Sequence, residues 1–179
     1  GLVFMLCGTH VLHVYRGHLP NLRTLVWAPL ILLAVDGLLE TSALVWVLLG
    51  MAAVALQILA GHIQETFYTA VVVGMYASAC WIRASSRLRF VVGLAAMYAG
   101  GAALAAVQLF AGLDAVAESV RGRLAYGIAA SFSFPPENLL TLILPGVFGD
   151  MITEPYWGRW TLSETSLFIG CAACLLASY

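Results

Sequence analysis

The chain has 179 residues, of which 62% are hydrophobic and only 9% are charged, a composition that predicts an integral membrane protein and excludes an ordinary soluble domain. The formal net charge is −1 and all eight basic residues are arginines, so the sequence offers no basic tract and nucleic acid is excluded as a predicted partner. The four cysteines lie in apolar runs, which is typical of small buried side chains and not of a disulfide framework: Cys7, Cys80, Cys171 and Cys174.

Apolar runs of the length that crosses a bilayer, roughly 17 to 25 residues, follow one another along the chain. Three runs meet this length, and they cover residues 43–60, 66–82 and 90–113. The runs 2–15 and 167–179 are shorter and abut the two ends of the sequence, so they are predicted to be truncated spans and the chain to be a fragment of a longer protein. The segment 21–35 carries Pro29 near its middle, which predicts a kinked span or a re-entrant helix.

These runs predict an all-α fold, a polytopic transmembrane bundle of about five to six helices with the first and last truncated. Residues 1–113 are expected to form transmembrane helices with short loops, residues 114–166 a structured loop, and residues 167–179 the start of a further transmembrane helix. The loop is rich in proline, glycine and aromatic residues. Its apolar piece 139–144 lies between prolines, which predicts a short interfacial or re-entrant helix.

Counting the crossings places the segments 15–21, 61–65 and 114–166 on one face, and the loops DGLLETS and RASSRLR on the other. The second of these loops holds three arginines in seven residues, which favours a cytoplasmic position by the positive-inside rule. The opposite face holds five arginines, so charge alone leaves the orientation open.

The motif GHIQE joins two predicted spans and gathers three polar side chains there. On a helical continuation His62 and Glu65 share a face, Gln64 points elsewhere and is available to a second group, and Gly61 allows a backbone turn. Ionisable groups at membrane depth are costly and often mark a substrate path. Two interpretations stay open, a ligand-facing cluster and an interfacial helix end whose polar residues lie among the headgroups.

The spacing of His10 and His13 suits metal or haem ligands on one helix face, but no carboxylate or cysteine accompanies them. Buried or interfacial histidines are the favoured interpretation, and no metal site is predicted. No cofactor is assigned from the residues, with a divalent cation left as an alternative.

A pair of arginines, Arg121 and Arg123, follows the longest predicted span. The planar guanidinium suits a phosphate, so the pair is a candidate for binding a polyprenyl-phosphate or phospholipid donor; contact with ordinary lipid headgroups is the alternative. Asp114 and Glu118 precede the two arginines in the sequence. On a continuous helix the acids and arginines would be neighbours, so mutual neutralisation of their charges is another interpretation.

Aromatic residues cluster in YWGRW, where Tyr156 and Trp157 are candidates for stacking on a sugar. An interfacial aromatic belt is the alternative interpretation, and it is slightly favoured. In the run 90–113, the pairs Ala96/Gly100 and Ala99/Ala103 have small-xxx-small spacing, which predicts close helix packing. The sequence contains no Walker loop, GxSxG, HExxH or GxGxxG signature, so any chemistry is expected at a membrane-embedded site.

Four motifs, in order, resemble segments of the bacterial YfhO-like membrane proteins: LAGHIQETFY, QLFAGLDAVAESVRG, SFSFPPENLLTLILPGVFGD and YWGRWTLSETSLFIG. The resemblance covers nearly the whole chain, and the first motif resembles the family's GHPQ segment. These proteins are similar to the polytopic GT-C glycosyltransferases, which transfer a sugar from a polyprenyl-phosphate carrier to an acceptor outside the cytoplasmic membrane. Ile63 and Ala111-Gly112 stand where the family has prolines, so the bends there are expected to differ.

The resemblance implies a multi-pass protein of the bacterial cytoplasmic membrane with its polar face extracytoplasmic. It implies that His62, Gln64 and Glu65 line the sugar or acceptor cavity and that Asp114 occupies the acidic position of the second motif. The family's catalytic carboxylate would precede Gly1, so Asp114 is only a weak catalytic candidate and the fragment alone is expected to be inactive. The implied partners are a polyprenyl-phosphate-linked sugar, membrane lipids, and a cell-envelope polymer or lipid acceptor.

A second hypothesis is a transporter or flippase of lipid-linked saccharides, in which the same polar residues line a path without bond chemistry. A third is a haem or metal protein that uses His10 and His13.

Overall fold

The computed structural model describes residues 8–118, 133–149, 154–159 and 162–165, and within these ranges the fold is all-α, as predicted. The α-helices are α1 (Gly8–Tyr15), α2 (Leu19–Leu25), α3 (Ala28–Thr41), α4 (Leu44–Leu59), α5 (Ile63–Cys80), α6 (Arg87–Leu104), α7 (Ala106–Glu118) and α8 (Leu162–Thr165). Two 3₁₀ helices cover Trp81–Arg83 and Pro136–Leu142.

The chain divides into two compact units. Residues 20–119 form the helical unit, which contains α3 to α7 and nearly all of α2. Residues 1–19 and 120–179 form the loop unit, in which α1 contacts α8. The predicted division at residues 113 and 166 concerns position in a membrane and stays a prediction.

Helix α4 is the centre of the helical unit and contacts α3, α5, α6 and α7, most extensively α6. Its sixteen residues, LVWVLLGMAAVALQIL, are apolar on every side except at Gln57, which is the pattern of a helix surrounded by other apolar groups. Ile31 and Leu38 of α3, Val54 of α4, and Phe90 and Met97 of α6 are almost wholly buried and form the core.

Close packing of α4 on α6 depends on glycine. Gly93, Met97 and Gly101 lie one turn apart on the buried face of α6. A Cβ atom at Gly101 would lie 2.6 Å from Cγ1 of Val54 and 3.1 Å from the carbonyl oxygen of Met51. The missing side chain therefore permits the short distance between the two backbones.

The predicted small-residue pairs lie only partly at this contact. Gly100 faces the side chain of Met51, and Ala96 is half-buried against the core. Ala99 and Ala103 are exposed. The residues of α6 that contact α4 lie one position further along than the predicted pairs, at Gly93, Met97 and Gly101. The side chain of Met97 fits there against Gly50 of α4.

The helical unit has an apolar exterior and a partly polar interior. Large apolar side chains that are 45% or more exposed occur on α4, α5, α6 and α7, among them Leu48, Val72, Met75, Val92 and Phe110. Thr24, Gln57 and Thr69 are buried. A water-soluble domain usually exposes its polar side chains and buries its large apolar ones. The exposed apolar and buried polar side chains of this unit therefore suit an apolar solvent.

Two of the described helical segments are long and apolar enough to cross a membrane, Leu19–Thr41 and Arg87–Leu104. Leu44–Leu59 and Ala106–Ala115 are apolar but shorter. Helix α5 has 18 residues, but Gln64 and Glu65 make its first turn polar. The larger number of spans expected from the sequence stays a prediction.

The predicted runs match the helices closely in the middle of the chain and differ at their ends. The run 43–60 corresponds to α4, whereas α5 begins at Ile63, three residues before the predicted start. The loop expected at DGLLETS is helical, since α3 continues to Thr41 and the chain turns only at Ser42, where φ is 52°.

The run 90–113 is divided at Ala105, where φ is −98° and ψ is 17°. The interruption follows the pair Gly100 and Gly101, and glycine pairs are common sites of helix kinks. The predicted interfacial helix at 139–144 lies within the structured loop as the 3₁₀ helix Pro136–Leu142. The run 167–179 lies outside the described residues.

Candidate functional site

The break between α2 and α3 creates the first part of the polar site. Pro29 lies in the first turn of α3, just after the break at Val26 and Trp27, because its ring would clash with the carbonyl of Leu25 in a continuous helix. In a continuous helix the carbonyl of Thr24 would accept from the N–H of Ala28, and the break removes this partner. The carbonyl oxygen of Thr24, at the end of α2, instead accepts a hydrogen bond of 3.2 Å from Nε2 of Gln57. Thus α4 supplies the donor that the interrupted helix lacks.

The same amide links α4 to α5. Nε2 of Gln57 also donates to Oγ1 of Thr69 at 3.0 Å, and Thr69 donates to the carbonyl oxygen of Glu65 at 2.9 Å. Gln57 is 1% exposed, so both of its N–H groups are removed from solvent and both are satisfied. The first turn of α5 is thereby held against α2 and α4.

Glu65 lies at this first turn, with its carboxylate toward α2. Its Oε1 accepts a hydrogen bond of 3.3 Å from Nδ2 of Asn21. The N-terminal end of a helix carries a partial positive charge, which favours a carboxylate there. The side chain is half-buried, so the carboxylate remains accessible from one side.

His62 immediately precedes α5 and has a non-helical backbone, with φ of −106° and ψ of 86°. The preceding Gly61 has φ of +89°, a value that glycine adopts without strain, and this makes the sharp turn between α4 and α5. The carbonyl oxygen of His62 accepts from the backbone N–H of Thr66. Its Nδ1 atom is buried and has no hydrogen-bond partner among the described residues.

Gln64 is exposed, and its Nε2 donates to the hydroxyl of Tyr68 at 2.9 Å. Asp114 is exposed on α7 and forms neither a hydrogen bond nor an ion pair with the described residues. The structure therefore brings His62, Gln64 and Glu65 to one helix end. There Glu65 contacts Asn21, whereas Gln64 contacts Tyr68. Arg121 and Arg123 lie outside the described residues.

Tyr156 and Trp157 belong to the loop unit, where Tyr156 is half-buried in a hydrogen-bond network. Its hydroxyl contacts Nδ2 of Asn138 at 3.3 Å and Oγ1 of Thr165 at 2.9 Å, and donates to the carbonyl oxygen of Arg159 at 3.1 Å. This network joins the 3₁₀ helix at 136–142 to residues 154–159 and to α8. Tyr156 therefore holds the loop together.

Trp157 is 68% exposed, and its ring packs edge-on against Phe148 with centroids 5.0 Å apart. Arg159 forms an ion pair of 3.1 Å with Glu137. An exposed tryptophan fixed by a second ring can present its free face to a sugar or to a lipid interface, so both interpretations from the sequence are compatible with its position.

Among the described residues, His10 and His13 are not grouped with enough acids or cysteines to form a metal site. The rings of His13 and His18 have centroids 5.6 Å apart and are tilted by 36°. Within the described parts of the chain, no three His, Cys, Asp or Glu side chains are grouped closely enough to hold a metal ion.

Four residues of the polar site were not singled out from the sequence: Asn21, Thr24, Gln57 and Thr69. Gln57 carried a usable signal, since it is the one polar side chain in an otherwise apolar helix. The contribution of Thr24 is a backbone carbonyl, which no residue pattern reveals. Asn21 and Thr69 acquire their roles only through the packing of α2 and α5 around α4.

Comparison of the chain with protein-family models, with curated proteins and with solved structures found no match.

Proposed function

We propose that the chain is part of a polytopic glycosyltransferase of the bacterial cytoplasmic membrane, which transfers a sugar from a polyprenyl-phosphate carrier to a cell-envelope acceptor. Two observations support this assignment. The helical unit has an apolar exterior and, within its largely apolar core, the buried polar side chains Thr24, Gln57 and Thr69. In addition, four ordered sequence motifs resemble the YfhO-like proteins, and the first of them contains His62 and Glu65.

The observation that carries most weight is the buried Nδ1 atom of His62, which has no hydrogen-bond partner among the described residues and lies at the helix end whose first turn holds Glu65. A buried polar atom without a partner costs about 1–3 kcal/mol, a cost that a bound hydroxyl would remove. Asn21 and Glu65 add an amide and a carboxylate, the groups that commonly recognise sugar hydroxyls. The helix end is therefore assigned the role of orienting the sugar or the acceptor.

In the proposed reaction an acidic side chain accepts the proton of the acceptor hydroxyl as the oxygen attacks the anomeric carbon, and the carrier phosphate leaves. Asp114 is the weak candidate for this base, since its carboxylate is exposed and unpaired among the described residues. Arg121 and Arg123 are assigned to the departing phosphate, whose charge two guanidinium groups would stabilise. His62, Gln64 and Glu65 of the helical unit are assigned to saccharide binding, and Tyr156 and Trp157 of the loop unit remain separate candidates for stacking on a sugar.

The test is transfer of radiolabelled hexoses from polyprenyl-phosphate donors by the full-length parent protein in proteoliposomes, with His62→Ala and Glu65→Gln at matched expression. We expect a loss of roughly 10- to 100-fold in each variant, because a hydrogen bond involving a charged group contributes about 1.5–3 kcal/mol. Glu40→Gln is the matched control, since Glu40 is an exposed acid on α3 away from this helix end. Normal transfer by both site variants would contradict the assignment.

A lipid-linked saccharide transporter is the second candidate, and the interrupted helix favours it. Transporter sites are commonly built at broken helices whose free backbone groups are satisfied by neighbours, as the carbonyl of Thr24 is by Gln57. The same proteoliposomes separate the two candidates. Movement of the lipid-linked sugar across the bilayer without transfer to an acceptor would support the transporter.

A further inference from the structure

An open groove of about 320 Å³ lies on the outside of the helical unit between α5 and α6. Its lining comes from the last two turns of α5, the start of the 3₁₀ helix Trp81–Arg83 and the first two turns of α6: Gly74, Ala77, Ser78, Trp81, Phe90, Val91 and Leu94. The groove exists because both helices pack on α3 and hardly touch each other. Gly74 leaves the groove open, since nothing lies within 4 Å of the position of its missing Cβ.

The groove lining offers a ligand no free polar side chain. Ser78 contributes a hydroxyl, but this donates to the carbonyl oxygen of Gly74 at 2.7 Å and so is satisfied within α5. Ala77 and Phe90 are buried and close the groove on the side of the core. A groove of this kind fits a hydrocarbon chain and offers nothing to a polar ligand.

One arginine lies at an end of the groove, and two others are close to it in the sequence. Arg87 lies over the ring of Trp81, with its Cζ atom 5.5 Å from the ring centroid. Arg83 and Arg89 lie within two residues of the lining residues Trp81 and Phe90. All three arginines are exposed, and none forms an ion pair with any described residue.

The acids closest to this end leave the arginines unpaired. Asp36 accepts a hydrogen bond from the hydroxyl of Tyr76, and Glu40 is exposed without an ion pair among the described residues. The positive charge at the groove end is therefore available to an external anion. A phosphate is the anion that a guanidinium group binds most effectively.

We infer that this groove binds one anionic phospholipid, with an acyl chain between α5 and α6 and the headgroup phosphate at Arg87, beside Trp81. The inference depends on the membrane placement in the proposed function but concerns a different part of the helical unit from His62 and Glu65. A charged headgroup and an attached hydrocarbon chain match the two halves of the site. Neither free phosphate nor an uncharged lipid would use both halves.

The test uses the protein in lipid nanodiscs and the fluorescence of Trp81, which lines the groove. Phosphatidylglycerol or phosphatidylcholine with a brominated acyl chain is added to unbrominated phosphatidylcholine, and subtracting the Trp81→Phe signal isolates the quenching of Trp81. We expect brominated phosphatidylglycerol to give the same quenching of Trp81 at a mole fraction about fivefold lower than brominated phosphatidylcholine. One basic residue near an anionic lipid strengthens its binding by about that factor.

Two variants test the headgroup part and the acyl-chain part of the lipid site separately. Arg87→Gln should remove the headgroup preference, whereas Arg23→Gln, an exposed arginine on α2, should retain it. Gly74→Leu places a side chain in the groove at a position whose Cβ has no atom within 4 Å, and it should reduce Trp81 quenching by both lipids.

Equal quenching by the two lipids in the native protein, or a preference that survives Arg87→Gln, would overturn the lipid site while leaving the membrane placement intact. Absence of tryptophan quenching by either lipid would overturn the placement and the site together. Sugar transfer is not measured in this experiment, so its result is independent of the enzymatic assignment.

Discussion

At the scale of single residues, Gln57 links three helices through one amide group. Its two N–H groups reach a backbone carbonyl of α2 and a hydroxyl of α5. An aliphatic side chain at this position would pack equally well in an apolar core but would leave the carbonyl of Thr24 without its donor. The polar residue is therefore explained by the helix break that Pro29 requires.

Gln57→Met tests this role, because methionine has a similar volume and flexibility but no N–H group. We expect the free energy of unfolding to fall by about 1–2 kcal/mol, the range for losing buried hydrogen bonds in an apolar environment. The measurement is the thermal unfolding midpoint in detergent. Gln64→Met is the control, since Gln64 is exposed, and equal stability losses in the two variants would argue against a special role for Gln57.

The sequence contained enough information to locate some of these residues and not others. His62 and Glu65 were found because ionisable groups between two apolar runs are conspicuous. Gln57 was overlooked although its isolation in α4 is equally visible. Asn21 and Thr69 are polar residues of a kind that many helix ends carry, and only the packed structure relates them to Glu65.

At the scale of the helices, the contact between α4 and α6 depends on the absence of a side chain at Gly101. Gly101→Ala places a methyl group against Val54 and the backbone of Met51, and a backbone atom cannot move aside as a flexible side chain can. We expect a loss of about 1–3 kcal/mol in the free energy of unfolding, the usual cost of overpacking. The measurement is again the unfolding midpoint in detergent.

Gly112→Ala is the matched control in the neighbouring helix α7. Nothing lies within 4 Å of the position of its missing Cβ, so the substitution introduces no clash. Alanine has the higher helix propensity, and we expect stability to stay equal or rise by up to about 1 kcal/mol. If both alanine variants lose stability to the same extent, the close approach of α4 and α6 is not the cause.

The helices themselves were largely predictable, because long apolar runs favour them whatever their partners. The positions where the helices end were less predictable from the sequence. Asp36 and Glu40 suggested a loop, but the hydroxyl of Tyr76 satisfies Asp36 and the helix continues to Thr41. Similarly, the position of the residues of α6 that contact α4 depends on Met97 fitting beside Gly50, which no spacing rule for small residues contains.

At the scale of the whole molecule, the two turns that flank α5 should face opposite sides of the membrane. Helix α5 has 18 residues and a length of about 27 Å, close to the thickness of about 30 Å of a bilayer's hydrocarbon core. The turn at Gly61 and His62 carries the polar cluster, and the turn at residues 84–86 lies among the arginines.

Cysteine labelling tests this arrangement. In a protein whose four cysteines are replaced by alanine, Gln64→Cys should react with a membrane-impermeant maleimide added outside intact cells, and Ser85→Cys only after permeabilisation. Both positions are exposed, so a difference reports sidedness and not burial. Labelling of both from the same side would contradict a transmembrane α5 and, with it, the assignment of the arginine turn to the cytoplasm.

The central helix α4 is shorter than its neighbours α5 and α6, which have 18 residues each. At sixteen residues α4 is about 24 Å long, so it falls about 6 Å short of an average hydrocarbon core. In a bilayer this hydrophobic mismatch has two resolutions: the lipid layer thins around the protein, or the turn at Gly61 and His62 lies below the headgroups in a recess. Thinning brings the headgroups level with His62, whereas a recess leaves His62 below them, so the two resolutions differ in how deeply the polar turn lies in the membrane.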